Sequence, residues 1–314
     1  MDNRKIDDAT GVETVGHEWD GIEELNNPLP RWWLWTFYAT IAFSVAYCVV
    51  YPAIPMLSKG TDGAWKWSSR GALAAEMSKA EQGRAATLAA IAATPIEALP
   101  EKPQLMQAAV AGGRAAFRVN CVQCHGAGAA GFKGYPNLND DDWLWGGDLR
   151  TIETTITHGI RFPGDDQTRQ SQMPNFGKDG LLPAASVSDV ASYVLTLSGK
   201  EQPGAASQRG AATFAANCAV CHGPEGKGGR QFGAPNLADA IWLYGGTHAD
   251  VAASVTSAHA GVMPAWAHRL DPVTIKMLAA YVHSLGGGEK FAPVPTPEES
   301  TPAGGAAPAA AAPR

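Results

Sequence analysis

The chain has 314 residues, 45% of them hydrophobic, a formal charge of -6 and five cysteines. That length allows two or three units, and nothing in the balance is basic enough for a nucleic-acid partner. The charge is also local: residues 1–30 hold eight acidic side chains against two basic ones, which accounts for the whole excess.

In chain order, residues 1–30 read as a polar, acidic tail of minimal fold that ends in the turn-forming run Asn26-Asn27-Pro28-Leu29-Pro30. Residues 32–51 carry no formal charge, and Trp32, Trp33, Trp35, Tyr47 and Tyr51 crowd their ends. At about 1.5 Å per residue such a helix spans roughly the 30 Å hydrocarbon layer, and aromatic rings favour its interfaces. A transmembrane helix over 31–52 fits this pattern better than a buried core helix. It also fits better than a cleaved signal peptide, because the segment runs into Tyr51-Pro52-Ala53-Ile54-Pro55 without a small-x-small site. Cys48, preceded by bulky Tyr47, reads as a small apolar residue and not as a lipidation site.

Residues 53–107 read as an exposed Ala-rich helix near 71–93, followed by a linker through Pro95, Pro100 and Pro103. Beyond it the chain repeats itself, over 108–200 and 205–287. Cys121-Val122-Gln123-Cys124-His125 returns as Cys218-Ala219-Val220-Cys221-His222, and Gly113 with Phe117 returns as Gly210 with Phe214. Pro136-Asn137-Leu138 and Trp143-Leu144-Trp145-Gly146-Gly147 return as Pro235-Asn236-Leu237 and Trp242-Leu243-Tyr244-Gly245-Gly246. Met173-Pro174 matches Met263-Pro264, and Tyr193 matches Tyr281. Each repeat reads as a helix into the Cys motif, a long loop region and a closing helix. The glycines four residues before a Phe mark a helix face where another helix approaches, with the closing helices of Tyr193 and Tyr281 as the expected partners. From about 288 the chain is Gly-, Pro- and Ala-rich, and disorder is expected after Pro293.

A Cys-x-x-Cys pair serves a redox disulfide, half a zinc site or, with His following, covalent haem c. Two pairs separated by 93 residues do not match a zinc ribbon, whose pairs stand about 15–20 apart, and the histidine follows in both copies. Cys121, Cys124, Cys218 and Cys221 are therefore the expected thioether anchors of two haem c groups, with His125 and His222 as proximal iron ligands. Met173 and Met263 are the expected distal ligands: each precedes a proline, at the same place in the repeat, and proline biases the residue before it toward an extended conformation. Met77, Met106 and Met277 read as core filler. His158 and His259 are the rival ligands, more readily explained as loop or propionate-side residues. Trp143 and Trp242 either pack on the haem or bond a propionate through the indole N–H. With both iron positions filled, the chain conducts electrons and is not itself the place where bonds break.

The orientation of the span divides two arguments. Lys59, Lys66 and Arg70 follow it and only Arg31 precedes it closely, which by charge alone keeps the C-terminal part in the cytoplasm. Haem c is attached on the other side and long domains translocate regardless of flanking charge, so the expectation is a cytoplasmic N-terminus and periplasmic haem domains in a bacterial inner membrane.

The ordered set of features resembles the membrane-anchored dihaem cytochrome c subunit of cbb3-type cytochrome c oxidases, over about residues 10–287. The most specific parts are Asp20 to Trp33 ahead of the span, Ser171-Gln172-Met173-Pro174, and Met263-Pro264-Ala265-Trp266 with the two haem motifs. The resemblance implies a mainly α fold, one N-terminal transmembrane helix plus two tandem class I cytochrome c domains. It further implies a c-type cytochrome as electron donor, and a monohaem cytochrome c subunit and a catalytic haem-copper subunit as partners. Some relatives have two membrane spans where this chain has one. The alternatives are a cytochrome subunit of another membrane dehydrogenase or reductase, and, in a different class, a dihaem peroxidase, which needs one iron with a displaceable ligand.

Overall fold

The computed structural model describes residues 4–291, so most of the tail expected from 288, and the disorder expected after Pro293, lie outside the described residues. The described residues divide into two compact units that part between Arg84 and Ala85. The first begins with an antiparallel hairpin, β1 (Thr14–Trp19) and β2 (Ile22–Leu25), in register Thr14 to Leu25 and Trp19 to Ile22. The acidic stretch is therefore more than the minimal tail expected. Asp20 and Gly21 both take positive φ, 51° and 82°, which is the two-residue turn that matches strand twist. After Pro30 comes α1 (Arg31–Val50), 20 residues with none buried, long and apolar enough to cross a membrane. It stops ahead of Pro52, and Tyr51 meets the rings of Tyr47, Trp65 and Trp67 there. Met77, expected as core filler, is 54% exposed on α2 (Ser69–Ala93), whose small Ala side chains offer no surface to bury it.

The second unit is mainly helical: α3 (Pro103–Asn120), α4 (Val122–His125), α5 (Leu149–His158), α6 (Ala184–Leu197), α7 (Ala205–Asn217), α8 (Ala219–His222), α9 (His248–Thr256) and α10 (Pro272–His283). Pro103 starts α3 at a position where its missing N–H costs nothing, and Asp148, Thr247 and Asp271 cap α5, α9 and α10 through their side chains. The repeats are tandem in sequence, but each core is assembled from both. Helix α3 of the first repeat packs on α10 of the second, and α7 of the second packs on α6 of the first. A Cβ built on Gly113 would run into the carbonyl of Met277, and one on Gly210 into the carbonyl of Asp189, so both positions must stay bare for these crossings. Phe117 meets Tyr281 edge-on at 5.3 Å and Phe214 meets Tyr193 at 5.2 Å, which pairs each leading helix with the closing helix of the other repeat.

The first core gathers Ala109, Phe117, Leu149, Ile152, Ile156 and Leu278. The helix expected to be exposed and the linker after it add to it: Ile91 of the first and Ile96 and Leu99 of the second are at most 4% exposed. Lys276 of α10 reaches the end of α2 and donates to the carbonyls of Ile91, Ala92 and Thr94 at 3.3, 3.2 and 2.8 Å, a cation on the carbonyls of a helix C-terminus. The second core gathers Phe176, Val187, Val190, Val194, Phe214, Val251 and Val255.

Candidate functional site

Both Cys-x-x-Cys-His stretches are single helical turns continued from the helix before them. The Cys121 N–H donates to Phe117 O at 2.9 Å and the His125 N–H to Cys121 O at 2.9 Å; the Cys218 and His222 amides do the same at 2.8 and 3.0 Å. A turn of this kind holds two thiols and an imidazole within five residues. Gly126 and Gly223 then end it at φ 79° and 75°, and the chain loops back so that the Gly131 and Gly228 amides donate to the carbonyls of His125 and His222.

The same loops fix the imidazoles. His125 Nδ1 lies 3.2 Å from Pro136 O and His222 Nδ1 lies 3.1 Å from Pro235 O. A proline carbonyl only accepts, so Nδ1 carries the proton and Nε2 keeps its lone pair for a metal. Burial pushes both imidazoles below their ordinary pKa, against a smaller opposing effect of the proline carbonyl, so the rings are neutral at pH 7. Burial, then the neighbouring cysteine, pushes the Cys121 and Cys218 thiols up to about 11. The Pro-Asn-Leu triplets stood out in the sequence as landmarks of the repeat; their role is this carbonyl.

The methionines follow the crossing of the cores. Met173 of the first repeat packs into the second core with Phe214 and Cys218, while Met263 of the second repeat packs against the first core beside Phe117 and Cys121. The segments that carry them cross as paired backbone. The Ile160 N–H donates to Met263 O and the Met263 N–H to Ile160 O, both at 3.0 Å. Gly159, at φ 68°, lets this approach happen, since a Cβ there would strike the Met263 carbonyl. Beyond them the Lys178 N–H donates to Thr256 O. The repeat pattern carries no signal for this exchange, because it reads the same whichever closing helix meets which leading helix.

A cavity of about 500 Å³ occupies the second core, lined by Met173, Phe214, Cys218, Cys221, His222 and Trp242 and reached by Tyr135 and Leu144 of the first repeat. Trp242 Nε1 is buried there with no hydrogen-bond partner, an orphan donor that a carboxylate of a bound group would satisfy. An apolar slot with an imidazole Nε2, two thiols, a thioether and an unspent N–H fits haem c and its propionate. Trp143 differs, since its indole donates to Gly287 O at 2.6 Å.

Three other histidines are spent elsewhere. His158 Nδ1 pairs with Asp165 at 3.0 Å, His248 Nε2 faces Ser188 O at 3.1 Å and His283 Nε2 faces Glu289 O at 2.9 Å. His259 stacks flat on Tyr244 at 3.8 Å, at the rim of the second cavity. Its counterpart in the first repeat is Arg169, which lies 5.3 Å over the ring of Trp145. Trp145 in turn packs on Gly233, and Tyr244 on the equivalent Gly134, so the two loop regions meet with local two-fold symmetry.

Two family models match the chain: the N-terminal domain of cytochrome oxidase-cbb3, FixP, over residues 11–58, and cytochrome c oxidase, cbb3-type, subunit III, over 108–194 and 205–282. The chain is 54% identical over 286 residues to the cbb3-type cytochrome c oxidase subunit FixP of Azorhizobium caulinodans, covering 90% of this chain and 96% of the relative. It is 52% identical over 276 residues to subunit CcoP of Cereibacter sphaeroides, with 88% and 95% covered. Subunit FixP of Sinorhizobium medicae is 51% identical over 288 residues, with 91% and 99% covered.

Proposed function

The chain belongs to the family of cbb3-type cytochrome c oxidase subunit III, and from that premise we propose a residue-level account of how it holds two haems and relays electrons. It is a membrane-anchored dihaem cytochrome c subunit of such an oxidase. In our reading Cys121 and Cys124 anchor one haem c and Cys218 and Cys221 the other, with His125 and His222 as proximal ligands. The distal ligands are exchanged: Met263 serves the iron of His125 and Met173 the iron of His222. A bound haem c supplies a one-electron iron couple, which methionine ligation holds at higher potential than a second histidine would. The protein's part is to keep each imidazole neutral and oriented through Pro136 or Pro235, to present a thioether from the crossing segment, and to enclose the site in apolar side chains.

The chain takes electrons from a c-type cytochrome and delivers them to the monohaem cytochrome c subunit and the oxygen-reducing haem-copper subunit of the complex. The repeats over 108–200 and 205–287 lie in the periplasm and residues 1–30 in the cytoplasm, on either side of the span at 31–52. Support for this orientation is the chemistry of haem c attachment together with one helix, among the described residues, long and apolar enough to span a membrane, ahead of both motifs.

The observation that carries the ligand reading is the presence of Met173 in the cavity of Cys218, Cys221 and His222. Replacing Cys218 and Cys221 by Ser leaves one haem, on Cys121 and Cys124. In that background Met263→Leu is expected to abolish the spectrum of a Met-ligated low-spin haem and Met173→Leu to leave it; the reverse outcome overturns the exchange. Purification in mild detergent tests the assembly, since recovery without a haem-copper subunit speaks against it.

A further inference from the structure

One side chain joins the two methionine loops. Between its Gly-Gly pair and its Met-Pro pair the first repeat is nine residues longer than the second, residues 147–173 against 246–263. Arg161 lies in that excess, so the second repeat has no counterpart to it. Its backbone sits in the left-handed region at φ 52°, held by its N–H on Arg169 O at 2.9 Å. For a residue other than glycine this conformation is unfavourable and persists where surrounding contacts demand it. The side chain supplies the demand. Nε–H donates to Gly261 O at 2.8 Å and Nη1–H donates to Ser171 O at 2.9 Å.

Those two carbonyls are equivalent positions: Ser171 stands two residues before Met173 and Gly261 two residues before Met263. A guanidinium presents its donors in a rigid planar fork, so one group can hold two carbonyls at a set separation, which a single ammonium point charge does less well. Both bonds have a charged donor and are stronger than neutral ones. The residue is half-buried, and burial lowers its pKa without discharging it at neutral pH.

We propose that Arg161 is a positioning residue shared by both haem sites, a latch that holds the Met173 and Met263 loops together and so sets how both sulfurs are presented. It rests on the reading of these methionines as distal ligands. Releasing the latch loosens both loops at once, even though the arginine belongs to one repeat.

The test uses the full-length dihaem protein in detergent and carbon monoxide, which competes with methionine for ferrous iron. Arg161→Gln is expected to raise the carbon monoxide affinity of both haems, each on the order of tenfold for the loss of one charged hydrogen bond, with the far-red band of Met-ligated ferric haem weakened to match. Arg161→Lys, which keeps the charge and reaches one carbonyl, is expected to fall between. A response at only one haem, or at neither, overturns the proposal. Should Arg161→Gln not assemble, Arg161→Lys decides, and wild-type carbon monoxide binding in it overturns the latch. Met173→Leu and Met263→Leu run beside them: if either fails to open one haem to carbon monoxide, the ligand reading fails and not the latch.

Discussion

The core around His125 is completed by Ile91, Ile96 and Leu99 from ahead of the first repeat, whereas the core around His222 is closed by residues of the two repeats alone. The same contrast runs through the tryptophans. The turn after α10 brings Gly287 O to the Trp143 indole, while the equivalent turn after α6 brings Lys200 over the Trp242 ring at 5.0 Å and leaves Trp242 Nε1 without a partner. Two copies of one motif thus hold like groups in unlike surroundings. What differs comes from flanking chain that is not repeated, and such differences are what separate two haems of one protein in potential.

The largest expected effect tests the added segment. Leu99→Ala removes a fully buried side chain from the first core and is expected to cost about 3 kcal/mol there, mostly as an unfilled cavity. Thermal unfolding followed at each haem reads this, and an equal loss around His222 would show that the cores do not unfold separately. Next come Gly113→Ala and Gly210→Ala, each expected to cost about 2–3 kcal/mol because the new methyl meets backbone carbonyl that cannot rotate away. Here the cores should respond alike. Gly113→Ala must disturb the haem site beside Met263, and finding the disturbance beside Met173 instead would break the crossed pairing.

Much of the site was legible because its chemistry is local: two thiols and an imidazole within five residues name the cofactor whatever the rest of the chain does. The crossing of the cores was not. Gly113 and Phe117 offer α10 the same surface that Gly210 and Phe214 offer α6, so the pattern is degenerate and the choice falls to the crossing at Ile160 and Met263, a contact between residues far apart in sequence. The hairpin had a signal, Asp20-Gly21 between residues of alternating character, outweighed by the acidity of its surroundings. The prolines at 95, 100 and 103 drew attention from Ile91, Ile96 and Leu99, whose burial makes part of the core out of an apparent spacer.

A smaller effect sharpens the contrast between the tryptophans. Trp143→Phe removes the bond to Gly287 O and is expected to cost about 1 kcal/mol of stability. Trp242→Phe loses no bond within the protein, so stability should hold; if, as proposed, Cys218 and Cys221 anchor a haem whose propionate takes the free indole N–H, the midpoint potential of that haem falls. Redox titration with both variants separates the two; a potential shift from Trp143→Phe equal to that from Trp242→Phe would undo the distinction.

The smallest effect lies where the repeats differ by one charge. Asp142 stands where the second repeat has Ile241, and its carboxyl is pushed up to about 6 by partial burial first and then by Asp239, Asp140 and Asp141, against the opposing pull of Arg230. A folded pKa above the unfolded one means that the native state binds the proton more tightly. Asp142 therefore costs nothing below about pH 4, destabilises progressively from about pH 4 to 6, and exerts its full penalty above that window. The side chain is only half-buried and solvent screens it, so the penalty is about 1 kcal/mol. Asp142→Asn is accordingly expected to stabilise the protein at pH 7 and to leave it unchanged at pH 4. Denaturant unfolding at the two pH values checks the sign. A gain at pH 4 that matches the gain at pH 7 would mean that the carboxylate charge is not what the first repeat tolerates there, and that shape alone separates Asp142 from Ile241.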